Sequence, residues 1–199
     1  MRRIFILALI LFIKVAFVSA QYFEGGIILG ITGSQMDGDR LGGYNKPGVA
    51  AGMFVQRAAS DKWKYRAELK YVMKGAAKIT TKDDLETYRK TLHYAELPVM
   101  AIMKIKNKGF IEMGLAFGYC GYATLNYGAG PEDATSTVKP LELSALGGVG
   151  YQMNEKVSFN LRLNYSLTPV SHVSGNQTIW GVYGQFNNVL TLAVNYAIK

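Results

Sequence analysis

Residues 157–167 read VSFNLRLNYSL, and their side chains alternate between apolar and polar along the whole stretch. Successive side chains of a β-strand point to opposite faces, so this order produces one apolar face and one polar face. A helix of the same sequence would mix the two sets. The stretch therefore predicts a strand that separates an apolar environment from a polar one.

The same period of two recurs along most of the chain. Clear strands are predicted at 63–73, 110–119, 141–152, 157–167 and 190–198, and weaker ones at 22–32, 47–57 and 92–104. The connections alternate between long ones, at 33–46, 75–91, 123–138 and 168–184, and short ones, at 58–61, 105–109 and 153–156. In an antiparallel meander this places all long loops at one rim (the loop rim) and the turns at the other (the turn rim), as in barrels of the bacterial outer membrane.

These features predict an all-β protein, an eight-stranded antiparallel up-and-down transmembrane β-barrel. The strands have the length of about 10 residues that a tilted bilayer crossing needs. The 13 Tyr, 9 Phe and 22 Gly are spread along the chain, which is a composition typical of β-structure. No stretch after residue 20 approaches the roughly 20 apolar residues of a spanning helix.

The alternative with the same alternation is a soluble periplasmic lipocalin-like barrel that binds a ligand, with its apolar face turned inward. Side-chain size favours the membrane arrangement, because the polar faces contain small residues that fit a narrow interior. These small residues are Gly114, Gly118, Gly148 and Gly150. Aromatic residues are expected to form two girdles, Trp63, Tyr65 and Tyr196 near the turn rim and Tyr71, Tyr119 and Tyr165 near the loop rim.

The first twenty residues have the pattern of a secretory signal peptide: Arg2 and Arg3, an apolar run, and the small residues Ser19-Ala20. We expect cleavage after Ala20, and one barrel domain over residues 21–199. Removal of the signal takes away three of the 22 basic residues and none of the 14 acidic ones, so the net charge falls from +8 to +5. Cys120 is the only cysteine, which excludes an intramolecular disulfide.

With the polar face turned inward, several charged side chains enter the lumen together. They are Arg66, Glu68, Lys70, Glu96, Glu112, Glu142 and Arg162. An isolated buried charge costs several kcal/mol, so we predict that these residues form a salt-bridged interior that plugs the lumen. A narrow channel that uses the same residues is the alternative.

Basic residues are predicted to gather at the turn rim. They are Arg57, Lys62, Lys104, Lys106, Lys108 and Lys156. They face either phospholipid head groups or an acidic periplasmic partner, and a merely solvated rim is the alternative. In the loop 75–91, Thr81 is expected to cap a short helix that contacts a partner. Nucleic-acid binding is not expected, because the basic residues are scattered over one rim and the aromatic residues face lipid.

An ordered series of short motifs runs along the chain. It comprises Lys46-Pro47-Gly48, Ser60-Asp61-Lys62, Glu68-Leu69 with Lys74-Gly75, and Tyr94-Ala95-Glu96-Leu97-Pro98. Over nearly the whole mature chain this order resembles the PorT-like outer-membrane β-barrel family of Bacteroidetes. The resemblance implies an outer-membrane barrel without catalytic residues, and the founding branch is tied to protein secretion through the type IX system. The chain departs from outer-membrane barrels generally by ending in Ile198-Lys199, with Tyr196 as the nearest aromatic residue.

Few residues suggest a catalytic, metal-binding or cofactor-binding site. The two histidines, His93 and His172, have no acidic pair nearby at metal-ligand spacing, and no glycine-rich segment precedes a helix as in a phosphate-binding motif. His172-Val173-Ser174 leaves a membrane-embedded lipid-modifying hydrolase open as an alternative. We expect a monomer without enzymatic activity, in contact with outer-membrane lipids. A structural or accessory role is expected, with a protein partner at the long loops or the turn rim.

Overall fold

The computed structural model describes residues 23–198 except 40, 81–85, 107, 172–175, 177, 179 and 180. The expected signal peptide with its cleavage after Ala20 lies outside the described residues. The same holds for the predicted helix cap Thr81 and for His172-Val173-Ser174.

The described residues form nine strands and one short 3-10 helix. The strands are β1 Phe23–Asp37, β2 Lys46–Ala58, β3 Trp63–Ala77, β4 Arg89–Lys104, β5 Gly109–Asn126, β6 Pro131–Asp133, β7 Leu141–Gln152, β8 Val157–Ser166 and β9 Phe186–Ile198. The 3-10 helix covers Thr135–Thr137. No helix among these residues is long and apolar enough to cross a membrane.

Eight of the strands close into a barrel. Every neighbouring pair is antiparallel, β1 pairs with β9, and β4 pairs with β5, so the ring has no open edge. The three-residue β6 pairs only with the end of β5, outside the ring. The predicted fold class, an eight-stranded antiparallel up-and-down barrel, is confirmed.

Several strands are longer than the alternation predicts, mainly at the loop rim. β3 continues to Ala77 and β4 begins at Arg89, because the backbone pairing extends through Gly75↔Thr91 and Ala76↔Lys90. A register shift between His93 and Tyr94 interrupts the β4–β5 pairing. Across a bulge the period of two is lost, so the pattern stops before the strand does.

The two faces of the barrel have opposite chemistry. Large apolar side chains cover the outside, for example Phe117 at 55 % exposure and Leu161 at 43 %, while polar side chains such as Asn195 are buried inside. Glycine is required where the interior is crowded: a Cβ on Gly150 would overlap the Phe110 ring. Transmembrane β-barrels have this arrangement, with an apolar outer wall that faces lipid and a polar interior.

Aromatic side chains lie on the outer surface near both rims. Trp63, Tyr65 and Tyr196 are exposed at the turn rim, and Tyr71 and Tyr119 at the loop rim. Tyr165, also near the loop rim, stacks on Phe186 with ring centroids 6.4 Å apart. The expected positions of the two girdles agree with this placement.

Candidate functional site

The centre of the lumen contains a buried ionic network, and Arg162 on β8 is its hub. The Nη1 atom of Arg162 lies 2.7 Å from Glu68 Oε2, and its Nε donates to Glu112 Oε1 at 2.6 Å. Asn160 donates a further hydrogen bond to Glu112 at 2.8 Å. β3, β5 and β8 are therefore joined through the lumen, in addition to their backbone ladders.

A second part of the network surrounds Lys74 on β3. Its Nζ lies 2.5 Å from Glu96 Oε1 and 2.7 Å from Glu142 Oε1, and 4.5 Å from the centre of the Tyr94 ring. Lys70 connects the two parts, because its Nζ lies 3.4 Å from Glu96 and 3.8 Å from Glu68. The network is thus continuous from β8 through β3 to β7.

The structure brings all seven sequence-predicted lumen residues into this network, where they are buried. Arg66 joins it 3.7 Å from Glu68 and also donates to Gln56 Oε1 at 2.7 Å. Sequence reasoning missed Lys74, because Val72 interrupts the polar series 64–70 and the strand was predicted to end at residue 73. With Lys74 included, four cations face four carboxylates: Arg66, Lys70, Lys74 and Arg162 against Glu68, Glu96, Glu112 and Glu142.

Apolar clusters lie on both sides of the network. On the loop side, Met36, Leu92, Cys120 and Val170 pack with Tyr94. Towards the turn rim, two further clusters centre on Phe110 with Ile102 and on Phe54 with Ile28. The polar middle of the lumen is therefore bounded by apolar side chains along the barrel axis.

A pocket of about 610 Å³ opens at the loop rim beside Asp39, Tyr88 and Tyr127. The backbone N–H of Leu41 donates to Asp39 Oδ1 at 2.8 Å, while the buried Oδ2 atom accepts no hydrogen bond. Burial raises the pKa of Asp39 from 3.8 to about 6. The two tyrosine rings meet edge to face with centroids 5.7 Å apart.

At the turn rim the structure exposes the six predicted basic residues on one end of the barrel. They are Arg57, Lys62, Lys104, Lys106, Lys108 and Lys156. They lie at or beside strand ends on the short turns β2–β3, β4–β5 and β7–β8. Two cavities of about 290 and 230 Å³ open inside this ring of cations.

Comparisons with known proteins agree with the barrel fold and with a lipid membrane around its apolar outer surface. The profile of the family described as outer membrane protein beta-barrel domain matches residues 17–172. The chain belongs to this family. Because the chain belongs to this family and has an apolar outer surface, the barrel resides in the bacterial outer membrane. This confirms the predicted location against the soluble periplasmic alternative. No curated protein sequence matches the chain.

Solved structures resemble this outer-membrane barrel in fold. Neisserial surface protein A is 12 % identical with a TM-score of 0.52, covering 88 % of this chain and 96 % of that one. Ail, the attachment invasion locus protein of Yersinia pestis, is 10 % identical with a TM-score of 0.51, covering 89 % of this chain and 100 % of Ail. Ail in complex with the heparin analogue sucrose octasulfate has a TM-score of 0.50 at 11 % identity, again covering 89 % and 100 %. At these identities the likeness concerns the fold alone.

The described part of the outer-membrane barrel contains no group of three or more His, Cys, Asp or Glu side chains arranged for a metal ion. His93 lies on the outer surface, with its Nδ1 atom 2.6 Å from the Tyr71 hydroxyl. Cys120 is buried in the apolar cluster on the loop side. His93 is thus hydrogen-bonded on the outer wall, and Cys120 is packed inside the barrel.

Asp39→Asn is expected to stabilise the outer-membrane barrel at pH 7 by up to about 1 kcal/mol, an effect limited by water around this half-buried group. The unfolded carboxyl ionises near 3.8 and the folded one near 6, so the wild-type unfolding free energy falls as the pH rises through this window. Asp37 and Lys90 lie nearby and act on Asp39 in opposite directions. Urea unfolding in detergent at pH 4 and pH 7 measures the difference; equal effects of the substitution at both pH values contradict the assignment.

Proposed function

We propose that this outer-membrane barrel is a non-conducting, non-enzymatic scaffold that presents its long loops to a protein partner. The observation that carries the proposal is the charge-balanced network in the middle of a closed lumen. Four cations and four carboxylates satisfy one another there, and each is almost completely buried.

An ion that crossed this lumen would have to separate these pairs. Removing one partner of a buried pair leaves an uncompensated charge, which costs about 3–5 kcal/mol. Eight-stranded barrels also have an interior just wide enough for side chains to fill. Both arguments support a plugged lumen.

The loop rim supports the binding half of the proposal. The long connections 38–45, 78–88, 127–140 and 167–185 all lie at this rim. They contact one another: Lys139 N–H donates to Val170 O at 2.9 Å, and Asn176 N–H donates to Gly38 O at 2.9 Å. Binding sites concentrate on loops held by a rigid scaffold, and these bonds hold neighbouring loops together.

The wild-type barrel is expected to show no steady conductance in planar bilayers. The charge-balanced variant Lys74→Met with Glu142→Gln should also stay silent, because the remaining pairs still close the lumen. A porin in the same membrane is the positive control, and a heat-dependent shift in gel mobility shows that each protein is folded. A steady wild-type conductance that vanishes in Glu96→Gln contradicts the plugged lumen.

Partner binding at the loops is tested by photo-crosslinking in native cells. The side chains of Ile79 and Tyr127 are exposed at the loop rim, so a photoreactive residue at either position should capture a discrete protein. Leu161 on the lipid face is the matched control position and should capture none. The same pattern of products at all three positions would contradict a loop partner.

A narrower part of the proposal places the chain in the PorT-like outer-membrane β-barrel family of Bacteroidetes, with a link to protein secretion. It is supported by the resemblance that the motif Tyr94-Ala95-Glu96-Leu97-Pro98 carries. Identification of the crosslinked partners by mass spectrometry tests this link. Recovery of secretion-system subunits would support the link to secretion, and recovery of unrelated surface proteins alone would contradict it.

A further inference from the structure

The lumen opens at the turn rim into a basic recess, which we call the mouth vestibule. It consists of the two adjoining cavities of about 290 and 230 Å³, which share Gln56, Lys64, Arg66, Lys104 and Gln152 as lining residues. These volumes approach the lower limit of about 300 Å³ for typical ligand sites. The vestibule is therefore large enough to accept side chains of another molecule.

Cations outnumber acidic residues in the walls of the vestibule. Lys108 lines one cavity and Lys156 the other, in addition to Lys64 and Lys104. Within the described residues, Lys104 and Lys156 form no ion pair, and Lys108 Nζ donates only to the carbonyl oxygen of Met153. The two acidic lining residues are Glu24, 3.0 Å from Lys64, and Glu155. The vestibule thus has a surplus of positive charge.

Apolar side chains form part of the same recess. Ile102, Ile105 and Phe110 line the larger cavity, and Phe54 lines the smaller one. Gln56 and Gln152 line both cavities and can bond to peptide groups. Positive charge beside apolar surface and amide groups matches a ligand that combines carboxylates, apolar side chains and a peptide backbone.

We infer that the mouth vestibule binds an acidic peptide segment with interspersed apolar side chains, belonging to a soluble periplasmic partner. The inference goes beyond the proposed presentation of the long loops, because it concerns a second binding surface at the opposite, turn rim. The short turns of outer-membrane barrels face the periplasm, so a vestibule at the turn rim opens to the periplasmic solution, whereas lipid head groups surround the outer wall. Its position therefore favours a soluble ligand over a lipid.

The test uses the folded barrel in nanodiscs and a rhodamine-labelled peptide of alternating aspartate and leucine residues. Fluorescence anisotropy at low salt measures its dissociation constant. The double variant Lys104→Gln with Lys156→Gln is expected to weaken binding about tenfold, because it removes two lining cations that form no ion pair within the described residues. The matched control is Lys62→Gln with Lys106→Gln, which removes the same charge from the same rim outside the vestibule and should change binding less than twofold.

Three results would overturn the inference. They are no measurable binding to the wild type, equal weakening by both double variants, and full competition by vesicles of anionic phospholipid. The second indicates diffuse attraction to the rim, and the third indicates a lipid surface. Because the conductance and loop-crosslinking experiments do not involve this rim, they decide the proposed function separately.

Discussion

Arg162→Met is expected to lower the free energy of unfolding by about 3–5 kcal/mol, the range for breaking a buried ion pair. Arg162 lies within 2.7 Å of both Glu68 and Glu112, and all three side chains are almost fully buried. Glu68 retains ion pairs with Arg66 and Lys70, but Glu112 retains only the hydrogen bond from Asn160 among the described residues. Urea unfolding in detergent micelles, followed by gel mobility, measures the loss.

A double variant separates the effect of losing charge balance from the effect of losing side-chain packing. Arg162→Met with Glu112→Gln removes one charge of each sign, so it should recover a large part of the lost stability and reveal coupling between the two sites. Lys106→Gln on the exposed rim is the control, with an expected change within about 0.5 kcal/mol. If the double variant loses the full sum of the two single effects, the residues are not coupled through their charges.

Leu161→Arg is expected to destabilise the barrel by about 2–4 kcal/mol in lipid, because it places a charge near the bilayer midplane. Leu161 is in the middle of β8, and its side chain points outward with 43 % exposure. Folding yield and urea midpoint in vesicles are the measurements.

Val157→Arg provides the matched control on the same strand. Val157 is the first residue of β8, an even number of positions from Leu161, and therefore lies on the same face at the turn rim. The cost there should be about 0–1 kcal/mol. Equal destabilisation at the two positions would mean that the cost of the charge does not depend on membrane depth, which contradicts a lipid-facing outer wall.

The alternation of side chains was sufficient to predict the barrel. Leu161 and Arg162 are adjacent in sequence, yet one is exposed on the outer wall and the other is the hub of the lumen network. The period of two assigns them to opposite faces, and residue size assigns the faces to lipid and lumen. The contrast between long and short connections placed the six basic residues at one rim.

The pairing within the lumen network depends on the tertiary structure. Lys74 lies beyond the interruption at Val72, and its partners Glu96 and Glu142 are on two other strands. Register across β3, β4, β5 and β7 decides which charges meet, and the bulge at His93 and Tyr94 alters that register at the loop rim. The alternation of apolar and polar side chains along one strand does not determine the register of that strand against its neighbours.

The sequence by itself determined the number of strands in the barrel, the two faces, and seven of the eight charges that are buried together in the lumen. These properties depend on local geometry, because successive side chains of a strand always point to opposite faces. Only the tertiary structure decided that Lys74 completes the charge balance, that the loops bond to one another, and that the basic rim encloses a vestibule. Those properties depend on distances between residues far apart in the chain, which closure of the barrel establishes.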